Sequence, residues 1–271
     1  MMSRTHPVAR RLRALRGDAA LRATEGVFVA EGVHLALEAL KAEATIEAAV
    51  ASPRLSDGDE GAELARRLRA AKVEIHEASE ATLDRLQDAR SPQPVVLIVR
   101  RQPVSLKRAV DGRGGPALVV VACGVQEPGN LGALLRTADA AGATGFVATT
   151  GSASLTHPRA VRASMGGIFR LPAVEATLDE LLREVRGRRF KVAGALARGA
   201  VTYDTVLWDE PTALLFGGEG AGLPEGAVAR LDLRIAVPMA AGVESLSVNA
   251  AAAVVLFEAA RQRRLRISRA L

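Results

Sequence analysis

"ALVVVACGVQEPGNLGALLRTADAAGA", residues 117–143, reads as strand, turn and helix in direct succession. The opening run, 117–123, is unbroken apolar sequence, as a parallel strand covered on both faces requires. After Pro128, the apolar positions Leu131, Leu134, Leu135, Ala138 and Ala141 recur at i, i+3, i+4, i+7 and i+10, one face of a helix. The other face opens with Asn130 and carries Arg136. Asn130 behind Pro128-Gly129 suits a helix N-cap. Arg136, with Asp139 three residues on, suits a solvated ion pair. Alternatively, both residues belong to a site.

Working outward, the pattern repeats. Strands are expected at "GFVATT" (145–150), near "RFKVAGAL" (189–196), at "TALLFG" (212–217) and at "LRIAVPM" (233–239), before a closing helix from about 244 to 266. Strands alternating with helices predict an α/β fold with a mostly parallel sheet covered on both faces. Upstream, "VFVAEG" (27–32), "IEAAVAS" (46–52), "KVEIHE" (72–77) and "PVVLIVR" (94–100) are strand-like, separated by helical stretches. "RQPVSLKRAVDGRGGP" (101–116) breaks both patterns and reads as a linker. The expected organisation is a small N-terminal α/β domain over 1–103, a linker over 104–115 and a second α/β domain over 116–271.

Composition narrows the function classes. At 271 residues and 49% hydrophobic, the chain can bury one large core or two modest ones. A net charge of +6 and a pI near 10.3 favour an anionic partner, nucleic acid or an acidic membrane surface. The Arg-rich stretches "RRLRALR" (10–16) and "RQRRLRISR" (261–269) are expected to meet phosphates. Aromatic residues make up only 3%, so any RNA is read by backbone and shape more than by base stacking. Cys123 is the single cysteine and the four histidines are scattered, so no disulfide and no metal site are expected. The N-terminus lacks the apolar core of a signal peptide, and "AAAAVVLF" (250–257) is too short to span a bilayer. A soluble, cytoplasmic protein without a membrane partner is expected. GxxxxGK[ST] and GxSxG are both absent. "GRGGPA" (112–117) fits GxGxxA but precedes a strand instead of following one, so it lacks the phosphate-cradle context.

Three polar or Gly-rich clusters, 124–136, 217–224 and 238–249, each lie just beyond the carboxyl end of an expected strand. Ligands of open parallel sheets bind outside those ends. Each cluster also has a plain structural explanation. "GGEGAGLP" could be a loop entering a helix, with Glu219 near its positive end, and "ESLSVNAAAA" a capped core helix.

In order and spacing, "VQEPGNLGALLRTADAAGA", "LLFGGEGAGLP" and "IAVPMAAGVESLSVNAAAAVVLFEAARQR" resemble the three signature motifs of the SpoU/TrmH-type RNA 2′-O-ribose methyltransferases of the SPOUT superfamily. "TEGVFVAEGVHLALEALK" resembles the start of the ribosomal-protein-like substrate-binding domain found in many members. The resemblance implies a deep trefoil knot in the C-terminal domain, S-adenosylmethionine as cofactor, and a homodimer with active sites at its interface. It makes Asn130 and Arg136 the first-motif Asn and catalytic Arg, Glu219 the second-motif acid and Ser245 the third-motif Ser. Gly217, Gly218, Glu219, Val237, Met239 and Leu246 fall at cofactor-contacting positions.

The implied reaction moves a methyl group to a ribose 2′-hydroxyl. Arg136 acts either as base or as a charged phosphate anchor, and the second needs less perturbation of a guanidinium. A full N-terminal domain leans toward ribosomal RNA. A tRNA ribose methyltransferase and a catalytically weak RNA-binding assembly factor are the alternatives. Two positions depart from the family pattern: Gly218 stands where Asn is usual, and Ser247 stands where the third-motif Asn is usual, with Asn249 two residues later. If a helix begins near Glu244, Ser245 and Asn249 share one face. Asn249 would then replace the usual Asn as a catalytic-site residue, and Ser247 would point away.

Overall fold

The computed structural model describes residues 1–3, 5–88, 91–112, 115–198 and 201–270, with side chains as far as residue 265. They form two compact units: Met1–Pro103 joined by Thr156–Arg170, and Val104–Leu155 joined by the chain from Leu171 onward.

The first unit opens with α1 (Pro7–Gly17), α2 (Ala19–Glu25), β1 (Val27–Glu31), α3 (Val33–Lys41) and β2 (Ile46–Ala51). It continues through α4 (Asp59–Ala70), β3 (Ile75–Glu77), α5 (Glu80–Asp84) and β4 (Val95–Arg100). The strands lie in the order β1-β4-β2-β3, with β4 antiparallel to both neighbours and β3 parallel to β2. Both faces are covered. Leu35, Leu64 and Leu68 from α3 and α4 pack on Phe28, Leu97 and Val99. Leu12, Leu15 and Leu83 from α1 and α5 pack on Val27, Val29 and Ile98. This explains why β1 and β4 are apolar without alternation.

The second unit begins with α6 (Leu106–Val110), inside the stretch expected to be a linker. Ser105 caps it, accepting from the Arg108 amide at 3.2 Å, and Ala109 and Val110 are buried. Five helical residues are too few to show a period, but packing holds them. A Cβ at Gly145 would fall 1.6 Å from the Ala109 carbonyl oxygen, so the approach admits only glycine there.

Then follow β5 (Leu118–Cys123), α7 (Pro128–Ala140), β6 (Gly145–Thr149), α8 (Pro158–Ala163), α9 (Gly167–Arg170), β7 (Ala173–Ala176) and α10 (Leu178–Arg186). The remainder is β8 (Lys191–Ala195), β9 (Val201–Thr202), β10 (Thr212–Gly217), α11 (Glu225–Val228), β11 (Leu233–Ala236) and α12 (Val248–Ala270). All strands of this sheet are parallel, in the order β7-β6-β5-β10-β8-β11-β9. β5, β6 and β7 run outward to one edge, and β8 and β9 are laid on the other side. β10 then enters the gap between β5 and β8, and β11 the gap between β8 and β9. The order reverses at β5 and β10, where a parallel sheet opens a crevice beyond its carboxyl ends. α12 is pinned by Arg263, whose guanidinium donates to the Trp208, Pro116 and Glu210 carbonyls at 2.8, 2.5 and 3.1 Å. Burial lowers its pKa to about 10.

Residues 156–170, expected within the 116–271 domain, pack instead with the first unit. Val161, Ile168 and Phe169 join the apolar layer of α3 and α4. Arg162 pairs at 2.9 Å with Glu31, whose side chain is only 1% exposed. Glu31 also accepts from the Asp88 amide at 2.9 Å, and Asp88 itself pairs with Arg159 at 3.0 Å. Arg170 pairs with Glu38. A carboxylate as buried as Glu31 would be strongly destabilising without its guanidinium, which fixes where the excursion docks. Among the described residues no helix is long and apolar enough to cross a membrane.

Candidate active site

The site is built at the carboxyl ends of β5, β8, β10 and β11. β5 turns at Gly124 (φ +73°) into the loop that starts α7. The cap of α7 is Glu127, whose carboxylate accepts from the Asn130 amide at 2.7 Å. Asn130 is therefore not the cap, and its side chain is available for other work. Its Oδ1 accepts from Asn249 Nδ2 at 3.2 Å.

Asn249 stands at the second residue of α12, which begins at Val248 and not near Glu244. Ser247 stops the helix from extending upstream. Its Oγ accepts from the Ala250 amide at 3.3 Å and its carbonyl from the Ala251 amide at 3.0 Å, so it occupies the N-cap position that Ser favours. The shared helical face expected for Ser245 and Asn249 does not exist, because Ser245 is still in the loop. Asn249 meets the first motif through Asn130 but does not line the adjoining cavity, whereas Ser247, expected to point away, both caps α12 and lines that cavity. Asn249 Oδ1 is buried without a hydrogen-bond partner.

A cavity of about 360 Å³ lies beside this pair in sequence: Val248 and Ala251, flanking Asn249, line it. Its walls include Gly217, Gly218 and Glu219 after β10, Val237 and Met239 after β11, and Ser245 and Leu246 ahead of α12. All six expected cofactor positions and Ser245 are thus brought together. Arg136 is not among the lining residues. It is exposed on α7, and no hydrogen bond or ion pair to it is found among the described residues. Three lining residues at the end of β8, Ala195, Leu196 and Ala197, carry no polar or glycine cluster and were not expected. Their one available signal is position, since β8 is the sheet neighbour of β10.

The glycines explain the wall. A Cβ at Gly217 would lie 2.1 Å from the Gly222 carbonyl carbon, so the loop folds back on itself. Gly220 (φ +76°) and Gly222 (φ +64°) make the reversal. A Cβ at Gly218 would fall 2.4 Å from the Gly124 carbonyl oxygen. As these loops stand, the Asn usual at that position has no room. Burial of the Cys123 thiol at the adjoining strand end raises its pKa.

A cavity of this size falls within the range of small-molecule cofactor sites. Leu196, Ile235, Val237 and Val255 supply apolar wall for a ring, glycine backbone supplies amides and carbonyls, and Glu219 and Glu244 supply negative charge for a cationic group. The residues present fit S-adenosylmethionine. Among the described residues, no group of three or more His, Cys, Asp or Glu side chains is gathered for a metal ion. The expected phosphate-facing arginines are partly committed. Arg11 pairs with Glu25 and Glu47 at 2.7 Å, and Arg16 donates to the Arg85 and Gln87 carbonyls. Arg261 pairs with Glu258, and the side chains of Arg266 and Arg269 lie outside the described residues.

The model of the SpoU rRNA Methylase family matches residues 117–257, and that of the MRM3-like substrate binding domain matches residues 7–97. The chain is 28% identical to the 23S rRNA (guanosine(2553)-2'-O)-methyltransferase RlmP of Bacillus subtilis, over 87% of this chain and 89% of that protein. It is 34% identical to the 23S rRNA (guanosine-2'-O-)-methyltransferase RlmB of Xylella fastidiosa, over 82% of this chain and 89% of that one. Among solved structures, the SpoU methyltransferase AviRb from Streptomyces viridochromogenes in complex with AdoMet aligns with a TM-score of 0.85 at 29% identity, over 94% of this chain and 97% of that one.

Proposed function

Because the chain belongs to the SpoU rRNA Methylase family, we propose that it methylates a ribose 2′-hydroxyl of RNA, with ribosomal RNA as the substrate class and S-adenosylmethionine as the methyl source. The observation that carries this reading is the glycine-walled cavity beyond the carboxyl ends of β8, β10 and β11, into whose lining Gly217, Glu219, Val237, Ser245 and Leu246 are all gathered. The bound cofactor supplies an electrophilic methyl on a sulfonium. The residues Gly217, Gly218, Glu219, Val237, Met239 and Leu246 hold it.

The chain's own task is to position and activate the hydroxyl. A hydroxyl is a weak nucleophile until its proton is drawn away. Arg136, charged and exposed, binds the neighbouring phosphate and stabilises negative charge developing on the oxygen. Asn130, held by Asn249, orients the ribose, and Ser245 borders the same space. The unit formed by residues 1–103 and 156–170 binds the RNA, and the unit formed by 104–155 and the chain from 171 onward carries the chemistry. β10 and β11 entering gaps between strands already laid down suit the trefoil knot that the family resemblance implies.

A homodimer completes the site. α12 buries Val255, Leu256 and Ala259 on one side, yet exposes Val254, Phe257 and Leu265 on the opposite side, with Phe257 46% exposed. A second copy would cover that face and bring its own Arg136 to a cavity that the same chain's Arg136 does not line.

The test is to incubate the protein with ribosomal RNA and labelled cofactor, then digest the RNA to nucleosides. Label in 2′-O-methyl nucleosides is expected, and label in a methylated base would overturn the reading. RNA affinity should fall steeply with salt, with a slope of log K on log[salt] several units negative. A flat response would place the positive charge away from the RNA.

The displaced Asn makes a sharper expectation. Asn249→Ala should lower turnover about tenfold, a loss of ~1.4 kcal/mol, with little change in melting temperature. Ser247→Ala should instead cost ~1 kcal/mol of stability through the lost cap and leave turnover within a few-fold. Paired melting curves and initial rates separate the two. The opposite assignment of effects would mean that Ser247 keeps the family's role.

A further inference from the structure

Just past β6 the chain makes a turn, with the Ser152 amide donating to the Thr149 carbonyl at 2.9 Å. From there the Ser152 hydroxyl reaches back to the end of β5. Its Oγ accepts from the amides of Gly124 at 3.0 Å and Val125 at 3.1 Å, and donates to the Ala122 carbonyl at 3.1 Å. A serine hydroxyl offers one donor and two acceptor lone pairs, so its capacity is fully used at this one place. The next residue reinforces it: the Ala153 amide donates to the Val125 carbonyl at 2.8 Å. Beyond that, Ser154 Oγ and the Leu155 amide both donate to Glu175 of β7, at 3.1 and 2.8 Å. Residues 152–155 thus strap the start of the first-motif loop to the edge strand of the sheet.

The strap acts where displacement matters. Gly124 has left the β-ladder, and its carbonyl oxygen rests 2.4 Å from where a Cβ on Gly218 would lie. The first- and second-motif loops therefore touch backbone to backbone. Moving Gly124 and Val125 moves the origin of α7, and with it Asn130, whose 3.2 Å hydrogen bond to Asn249 joins the first and third motifs.

We propose that Ser152 is a positioning residue for methyl transfer: its hydroxyl fixes the Gly124–Val125 backbone and thereby places Asn130. The inference rests on the methyl-transfer reading above. Ser152 touches neither substrate nor cofactor, and its effect runs through Asn130.

The experiment measures steady-state methyl transfer to ribosomal RNA by the full-length protein, with cofactor affinity from calorimetry and thermal melts on every variant. Ser152→Ala should lower kcat about tenfold, while KM for RNA and cofactor affinity stay within about threefold. Ser152→Thr, which keeps the hydroxyl, should restore kcat to within about threefold of wild type. In an Asn130→Ala background, Ser152→Ala should cost less than about twofold, because the residue it positions is already gone.

Equal tenfold losses in both backgrounds would overturn the proposal, as would an unchanged kcat in Ser152→Ala or no recovery in Ser152→Thr. If Ser152→Ala does not fold, Ser152→Cys replaces it. An intermediate kcat at an unchanged melting temperature supports the proposal, and wild-type kcat overturns it. A wild-type protein that binds RNA but transfers no methyl would sink the methyl-transfer reading, and this inference with it.

Discussion

Arg136→Ala is expected to slow methyl transfer at least ~100-fold, the scale of removing a preplaced electrostatic group from a transition state. Folding should hardly notice. Arg136 is exposed on the polar side of α7, while Leu131, Leu134, Leu135 and Ala138 form the buried side. Cofactor affinity should change little, because the group Arg136 is proposed to bind is the RNA phosphate and the cavity walls of each chain stay intact without it. The signature is a low kcat with cofactor affinity and melting temperature near wild type. Arg136→Lys keeps the charge but not the planar fork, so it should recover only part of the rate. Turnover of Arg136→Ala within a few-fold of wild type would remove Arg136 from the mechanism.

Gly217→Ala should do the reverse, acting on the cofactor before the chemistry. The added methyl would sit 2.1 Å from the Gly222 carbonyl carbon and 2.3 Å from the Leu223 amide nitrogen, so the loop cannot stay closed. Because that loop is the cavity wall, cofactor affinity should fall at least ~100-fold, about 2.7 kcal/mol. Overpacking should also lower stability by ~1–3 kcal/mol. Gly226→Ala is the control, since nothing lies within 4 Å of its Cβ position and affinity should not change. Calorimetry on the two variants decides. A Gly217→Ala protein that binds cofactor within threefold of wild type would mean that the wall does not hold it.

The β5–α7 unit could be read from sequence because an apolar run and a helical period lie in one uninterrupted stretch. The cap could not be assigned so easily. Glu127, Asn130 and Pro128 are all plausible at a helix start, and only the 2.7 Å contact to the Asn130 amide selects Glu127. The sequence pattern extends α12 upstream to about 244 because the loop ahead of it, "GVESLS", mixes apolar and polar residues in a way that does not interrupt the following period. Ser247 carried the stopping signal. The helical register expected for Ser245 and Asn249 is absent: Asn249 hydrogen-bonds Asn130, and it is Ser247 that lines the cavity. The docking of 156–170 was not legible at all. Val161, Ile168 and Phe169 would look the same whichever core received them, and the long-range pairs of Arg159 with Asp88, Arg162 with Glu31 and Arg170 with Glu38 settle it.

The Arg162–Glu31 pair also sets a timetable for synthesis. Glu31 is translated 131 residues before Arg162, a delay on the order of ten seconds at ordinary elongation rates. During that interval the N-terminal unit holds an unmatched carboxylate beneath an uncovered apolar patch, and it cannot finish until β6 has been made. The familiar picture of a leading domain folding to completion before the next emerges does not describe this chain. For the same reason, a gene break near residue 103 would not yield two self-sufficient products. The leading piece would lack its cover, and the trailing one would carry Val161, Ile168 and Phe169 into solvent. Exchange of N-terminal units among such proteins by recombination would then need three crossovers, one near 103 and two bracketing 156–170.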